Sequence, residues 1–316
     1  MEFFLRRIIM KKFLALLMAM MMIVTLAACT QNDGNNDGDD YEDYIDNTVV
    51  KTFETFGDDT FYFDSVDSET VTITGFNSTN DAPHVVKIPA YVDVDAEGKG
   101  RRVVGVSKEA FCYKSNITTV VFPTAEEYQA GSAEFDLSKH TFVIEDYAFR
   151  DCAVFNSVTI PAYVTALGKG AFYGCSKLST VTFAEGCKLA ELKESTFMRC
   201  SSLTNITLPG NIAVVGQAAF FECTALESVA FAEGVSIISK QAFQNCKKLA
   251  SIQLPESVES IGQYAFHGSN ALYLGGITYA GDSAEVLTYI QSLLLEEAPE
   301  VDEDTTGDET TAGDPA

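Results

Sequence analysis

The sequence predicts a β-rich repeat solenoid whose coils each contribute one short strand, and three observations carry that reading. First, an aromatic residue preceded by a small one returns at Phe149, Phe172, Phe197, Phe220, Phe243 and Phe266, with spacings of 23, 25, 23, 23 and 23 residues. A fixed period of this size is the signature of stacked coils. Second, each copy continues alike, as in Cys175, Leu178, Val181 and Phe183, then Cys200, Leu203, Ile206 and Leu208, then Cys223, Leu226, Val229 and Phe231. Third, the net charge of −24 is unevenly placed: residues 30–70 and 282–316 hold 24 of the 45 acids and one base. The middle of the chain is therefore near neutral and apolar enough to bury a core.

Each element follows from residue type. The segment running from the large apolar residue to the last apolar position alternates apolar side chains with threonine, serine and asparagine, which suits a short half-buried strand. Proline at Pro161, Pro209 and Pro255 ends it. One coil cannot bury its own apolar side, so stacking at about 4.8 Å per rung joins the coils into one core. About seven rungs would span roughly 30 Å. The part of the coil around the Ala-Phe pair, as in Ile238 to Phe243, lacks strand alternation and predicts a turn or short helical piece opposite. Ala110 and Phe111 with Ile117, Val120 and Phe122 begin the series, and the long gap to Phe149 places an inserted loop at residues 124–140. After the coils, Asp282 and Ser283 offer caps to a helix over 283–297, with Val286, Leu287, Ile290, Leu293 and Leu294 on one face.

The predicted organisation is thus a signal peptide over 1–28, a lipid-anchored acidic linker over 29–65, the solenoid over 66–281, a capping helix over 282–298 and a disordered acidic tail over 299–316. Arg6, Arg7, Lys11 and Lys12 precede an uncharged apolar run from Phe13 to Ala28, too short to span a membrane comfortably and right for a signal-peptide core. Met10 offers a second possible start. Leu26, Ala27, Ala28 and Cys29 resemble the bacterial lipobox, which implies lipidation at Cys29, export and membrane attachment through the lipid alone.

The repeats resemble the BspA-like leucine-rich repeat family, whose pattern runs I-x-x-x-A-F-x-x-C-x-x-L-x-x-V-x-(F/I)-P. The resemblance covers about residues 100–270, with Val71 to Phe76 and Val86 to Pro89 similar to the family's usual lead-in. It implies a leucine-rich-repeat-like solenoid on a bacterial surface protein, with adhesion as the broad role and an extracellular protein or glycan as partner. Lys114 and Ser269 stand where the pattern has cysteine, at the two ends where atypical coils are expected.

Each candidate site has a plain structural role beside the functional one. Cys152, Cys175, Cys200, Cys223 and Cys246 form a ladder of one thiol per coil; without paired C-x-x-C spacing they read as buried small residues, not zinc ligands or disulfides. Asp33, Asn35, Asp37 and Gly38 begin a calcium-loop pattern, but Tyr44 stands where a bidentate glutamate is needed. His84, His140 and His267 fit no paired-ligand spacing, and neither a nucleophile elbow nor a phosphate-binding glycine loop occurs. No cofactor, metal or enzymatic role is expected, and without a basic stripe nucleic acid is not a partner. Alternation turns Ser157, Thr159, Thr180, Thr182, Asn205, Thr207, Ser228, Ser251 and Gln253 outward as a candidate binding face, small and uncharged. The turn side and the inserted loop with Tyr128 are equal candidates. Three roles stay open: adhesion or ligand capture, a passive structural or assembly part of the envelope, and substrate capture beside a transporter or hydrolase.

Overall fold

In a computed structural model of the chain, residues 52–93, 100–129, 139–269 and 276–295 are described. The leader, Cys29, Asp33 to Tyr44 and the acidic tail lie outside them. Among the described residues no helix is long and apolar enough to cross a membrane.

The array opens with β1 (Thr52–Phe56), β2 (Asp59–Ser65), β3 (Thr70–Ser78), β4 (His84–Lys87), β5 (Tyr91–Asp93), β6 (Gly100–Val106), β7 (Ile117–Val121) and the short helix α1 (Ala125–Gln129). It continues with β8 (Phe142–Ile144), β9 (Ser157–Ile160), β10 (Val164–Leu167), β11 (Thr180–Phe183), β12 (Glu191–Leu192), β13 (Asn205–Leu208) and β14 (Val214–Val215). It closes with β15 (Ser228–Phe231), β16 (Ile237–Ile238), β17 (Ser251–Leu254), β18 (Ser260–Ile261), β19 (Ile277–Tyr279) and α2 (Ala284–Leu295).

The predicted strands build one parallel face, in the orders β4, β7, β9, β11 and β13, β15, β17, β19. Each coil also has a second strand that the alternation did not reveal. These form β3, β6, β8, β10 and then β12, β14, β16, β18, also parallel. Several are only two residues long, too short to show a period of two. This second ladder breaks between β10 and β12. The two extra residues of the 25-residue coil fall there, between Phe183 and Phe197, and buried Cys187 and Leu189 fill the space.

The third side is the turn around each Ala-Phe pair. The residues two before and two after the ladder phenylalanine both have positive φ, as at Gln241 (59°) and Asn245 (61°). That alternation aims every second N–H along the solenoid axis. Gln241, Phe243 and Asn245 donate to the carbonyls of Gln263, Ala265 and His267 at 3.0, 2.7 and 2.8 Å. The same triplet recurs at Gly170, Phe172 and Gly174, which bond to Glu194, Thr196 and Met198 across the irregular coil. Turn-side bonding thus runs unbroken where both strand ladders stop.

Inside, the phenylalanines stack ring on ring. Centroids from Phe111 through Phe149, Phe172, Phe197, Phe220, Phe243 and Phe266 lie 4.9 to 5.5 Å apart, close to the rung spacing. The column extends upstream to Phe76 and Phe61. The linker expected over 29–65 is corrected on this point: β1 and β2 form an antiparallel hairpin that pairs with β3, and Phe61 and Phe63 are core residues. High local acidity hid a Phe-Tyr-Phe strand whose buried face closes the N-terminal end.

At the other end α2 takes the place of a further coil. Ser283 caps it, accepting from the Val286 N–H at 3.4 Å and donating to the Glu259 carbonyl. Val286 and Leu293 are buried as predicted, but Leu287 is exposed. Tyr289 supplies the contact instead: its hydroxyl accepts the Phe266 N–H at 3.2 Å, the donor that would otherwise meet a next coil.

Candidate functional site

The cysteine ladder has a structural task. Each thiol donates to the carbonyl of the preceding coil's phenylalanine: Cys152 to Phe111, Cys175 to Phe149, Cys200 to Phe172, Cys223 to Phe197 and Cys246 to Phe220, at 3.0 to 3.2 Å. Ser269 does the same for Phe243 with its hydroxyl. Burial pushes the thiols of Cys175, Cys200 and Cys246 well above the usual range and that of Cys223 up to about 12, so they stay protonated donors. They are free thiols. Among the described residues no cluster of three or more metal-ligating side chains occurs.

The strand face has the predicted exposure. Thr159, Thr180, Thr182, Asn205, Thr207, Ser228, Ser251 and Gln253 are exposed, and Ser157 is half-buried. The register sets Thr180 beside Ser157, Thr182 beside Thr159, and Asn205, Ser228 and Ser251 in one row. The rows are small and uncharged.

Tyr128 is not a contact residue. The inserted segment starts with a reciprocal cap, Glu127 N–H to the Thr124 hydroxyl and Thr124 N–H to the Glu127 carboxylate. It then buries the Tyr128 ring edge-on against Tyr163, with the hydroxyl donating to the Val103 carbonyl at 2.7 Å. Arg102, itself buried, donates to the Tyr128 carbonyl. Burial drives the Tyr128 phenol far above its ordinary range, so it stays a neutral donor. The tyrosine is the anchor of the insertion.

The large polar side chains gather on the turn side. The Arg150 guanidinium lies 5.4, 5.7 and 5.4 Å from the ring centres of Tyr113, Tyr147 and Tyr173. Arg199 sits 5.9 Å from the Tyr173 ring, donates to the Tyr173 hydroxyl at 3.0 Å and pairs with Glu222 at 2.9 Å. Arg150 also holds Asp151 at 3.0 Å, and Lys169 pairs with Glu194 on the next coil. Tyrosine and arginine are the side chains that most often dominate interface energy, and stacking of arginine on tyrosine fixes both in advance. Sequence reasoning did not assemble this group because its members occupy different repeat positions. The available signal was the pair of columns one and two residues after each ladder phenylalanine, the first holding Arg150 and Tyr173 and the second Tyr113 and Arg199.

Parallel ladders on two sides, a hydrogen-bonded turn on the third and one aromatic column inside define a leucine-rich-repeat solenoid. Residues 142–273 match the family model described as BspA type leucine rich repeat region in 6 copies. Among solved structures, a leucine rich cell surface protein from Faecalibacterium prausnitzii A2-165 is 27% identical with a TM-score of 0.55, over 73% of this chain and 55% of that one. A leucine-rich repeat protein from Eubacterium ventriosum is 23% identical with a TM-score of 0.46, over 61% and 48%. The T. pallidum leucine rich repeat protein is 22% identical with a TM-score of 0.51, over 71% and 96%. The chain spans about half the length of the first two. No curated protein matches it.

Proposed function

We propose that the chain is a bacterial cell-surface lipoprotein, held through Cys29, whose solenoid binds an extracellular macromolecule in adhesion or ligand capture. The observation that carries this reading is the turn-side group of Tyr113, Tyr147, Tyr173, Arg150 and Arg199, preorganised by mutual stacking on a continuous hydrogen-bonded scaffold. The strand face offers no comparable anchor, so the turn side is the contact surface. The lipid anchor is supported by the leader and the Ala-Ala-Cys motif, and many copies on one membrane would raise weak single-site affinity through avidity.

The test compares soluble full-length chain with chain displayed on beads, against matrix proteins, glycans and host cells. Binding should appear on beads and fall with Tyr173→Ala and Arg199→Gly. It should survive Thr182→Glu, Asn205→Glu, Thr207→Glu and Gln253→Glu made together. The reverse pattern moves the site to the strand face, and absence of binding in both formats supports a passive envelope role. Separately, Cys29→Ser should release the protein from the membrane fraction.

A further inference from the structure

We infer that the turn side carries a binding groove for a neutral glycan chain lying along the solenoid axis. This rests on the turn side being the contact surface and adds the ligand class. The groove runs between two columns, the residues two and four positions after the ladder phenylalanines, with the buried cysteines between them. It extends from Asp151 on the Phe149 coil to Lys247 on the Phe243 coil as an open trough of about 530 Å³.

Its chemistry selects among ligands. Asp151 and Glu222 face the groove together with Arg199 and Lys247, so the lining charges balance. A polyanion would meet two carboxylates, whereas the core of a protein interface calls for an apolar centre that this groove lacks. Ser176, Ser201 and Thr224 add hydroxyls on three successive coils. A sugar hydroxyl donates and accepts at once, and closely mixed carboxylate, guanidinium and hydroxyl groups satisfy both roles.

The periodicity fits as well. Rungs repeat at about 4.8 Å, close to the advance of one pyranose unit along a chain, so successive sugars meet successive coils. The groove is also preformed. Arg199 is fixed from two sides, by Glu222 and by the Tyr173 hydroxyl. Its φ is 62°, and Gly174 fills the same turn position one coil earlier at 70°. The turn geometry therefore does not require a long charged side chain at Arg199; glycine meets it without strain.

The experiment prints neutral gluco-, xylo-, manno- and galacto-oligosaccharides beside sulfated and sialylated chains, and probes them with the full chain on beads. Matrix proteins are probed in parallel. The inference expects saturable binding to at least one neutral chain of three or more sugars. That binding should weaken at least tenfold with Arg199→Gly, which frees the groove of its clamp, and with Ser201→Tyr, which fills it. The melt of Arg199→Gly should match the parent, that of Ser201→Tyr should stay within a few degrees because it gives up only the Ser201 hydroxyl bond to the Ser176 carbonyl, and the four-site strand-face variant should bind as before. Binding to sulfated chains alone, or neutral-chain binding indifferent to both groove variants, overturns the inference. Binding to matrix proteins without any neutral glycan overturns it while leaving the binding-module reading in place; no binding to any class removes both.

Discussion

The strand face and the turn side share one period and the same core, yet they differ in continuity and in what they present. On the strand face the ladder β4, β7, β9, β11 is separate from β13, β15, β17, β19, and the outward residues from β9 to β17 are small or carry an amide. On the turn side, bonds from the Phe111 coil to the Phe266 coil run without a gap, and large side chains stand on it. A strand rung is fixed by pleated backbone pairing, and from β9 to β17 its outward residues carry no charge and no aromatic ring. A turn rung is fixed by alternating backbone handedness, which leaves the residue two after the phenylalanine free to vary from glycine to tyrosine. The fold thus carries its large, variable side chains on the turn side.

That contrast can be broken most strongly from within. Phe220→Ala removes a fully buried ring between Phe197 and Phe243 and should cost about 3 to 5 kcal/mol. Thr182→Ala on the strand face should stay within about 0.5 kcal/mol. Chemical denaturation of the two variants decides it; equal costs would refute the assigned register.

Next in size is the thiol ladder that ties coil to coil beneath the turn. Cys223→Ala deletes the donor to the Phe197 carbonyl and should cost about 1 to 3 kcal/mol. Cys223→Ser should cost less, because Ser269 shows a hydroxyl serving in that place. The same burial predicts that native protein resists alkylation at the ladder thiols near neutral pH and reacts there only on unfolding.

A smaller effect probes the turn surface itself. Arg199→Gly relieves a left-handed backbone worth about 1 kcal/mol and loses an exposed ion pair worth about 0 to 1 kcal/mol. Thermal stability should therefore hardly change, whereas binding should fall. A large loss of stability would make Arg199 a structural residue.

The smallest effect lies at the N-terminal end, where His84 on β4 meets Asp59 on β2 at 2.9 Å and the Ala82 carbonyl at 2.9 Å. Burial opposes the imidazolium, but these hydrogen bonds and the charges of Asp59 and Asp58 outweigh it and raise the pKa above its ordinary value. Stabilisation is then full below the unfolded value of about 6.5 and fades as pH rises through the higher folded one. Melting temperature should fall slightly over that interval, and His84→Gln should flatten the dependence.

Much of this molecule was legible in its order of residues. The period, the phenylalanine column, the cysteine positions, the exposed strand residues and the terminal helix all follow from spacing, because repeated burial imposes repeated side chains. The hairpin over Thr52 to Ser65 was not, since its acidic surroundings outweighed five aromatic residues in composition. Tyr128 was misplaced because an anchor inside an insertion looks like an exposed loop aromatic until its carbonyl partner is known. What the sequence determined by itself was the repeating coil and its buried column, which depend on neighbours a fixed distance apart. What only the tertiary structure decided was the turn-side assembly of Tyr113, Tyr147, Arg150, Tyr173 and Arg199. Those residues come from different coils and different repeat positions, and only stacking with positive φ at the turn brings their side chains together.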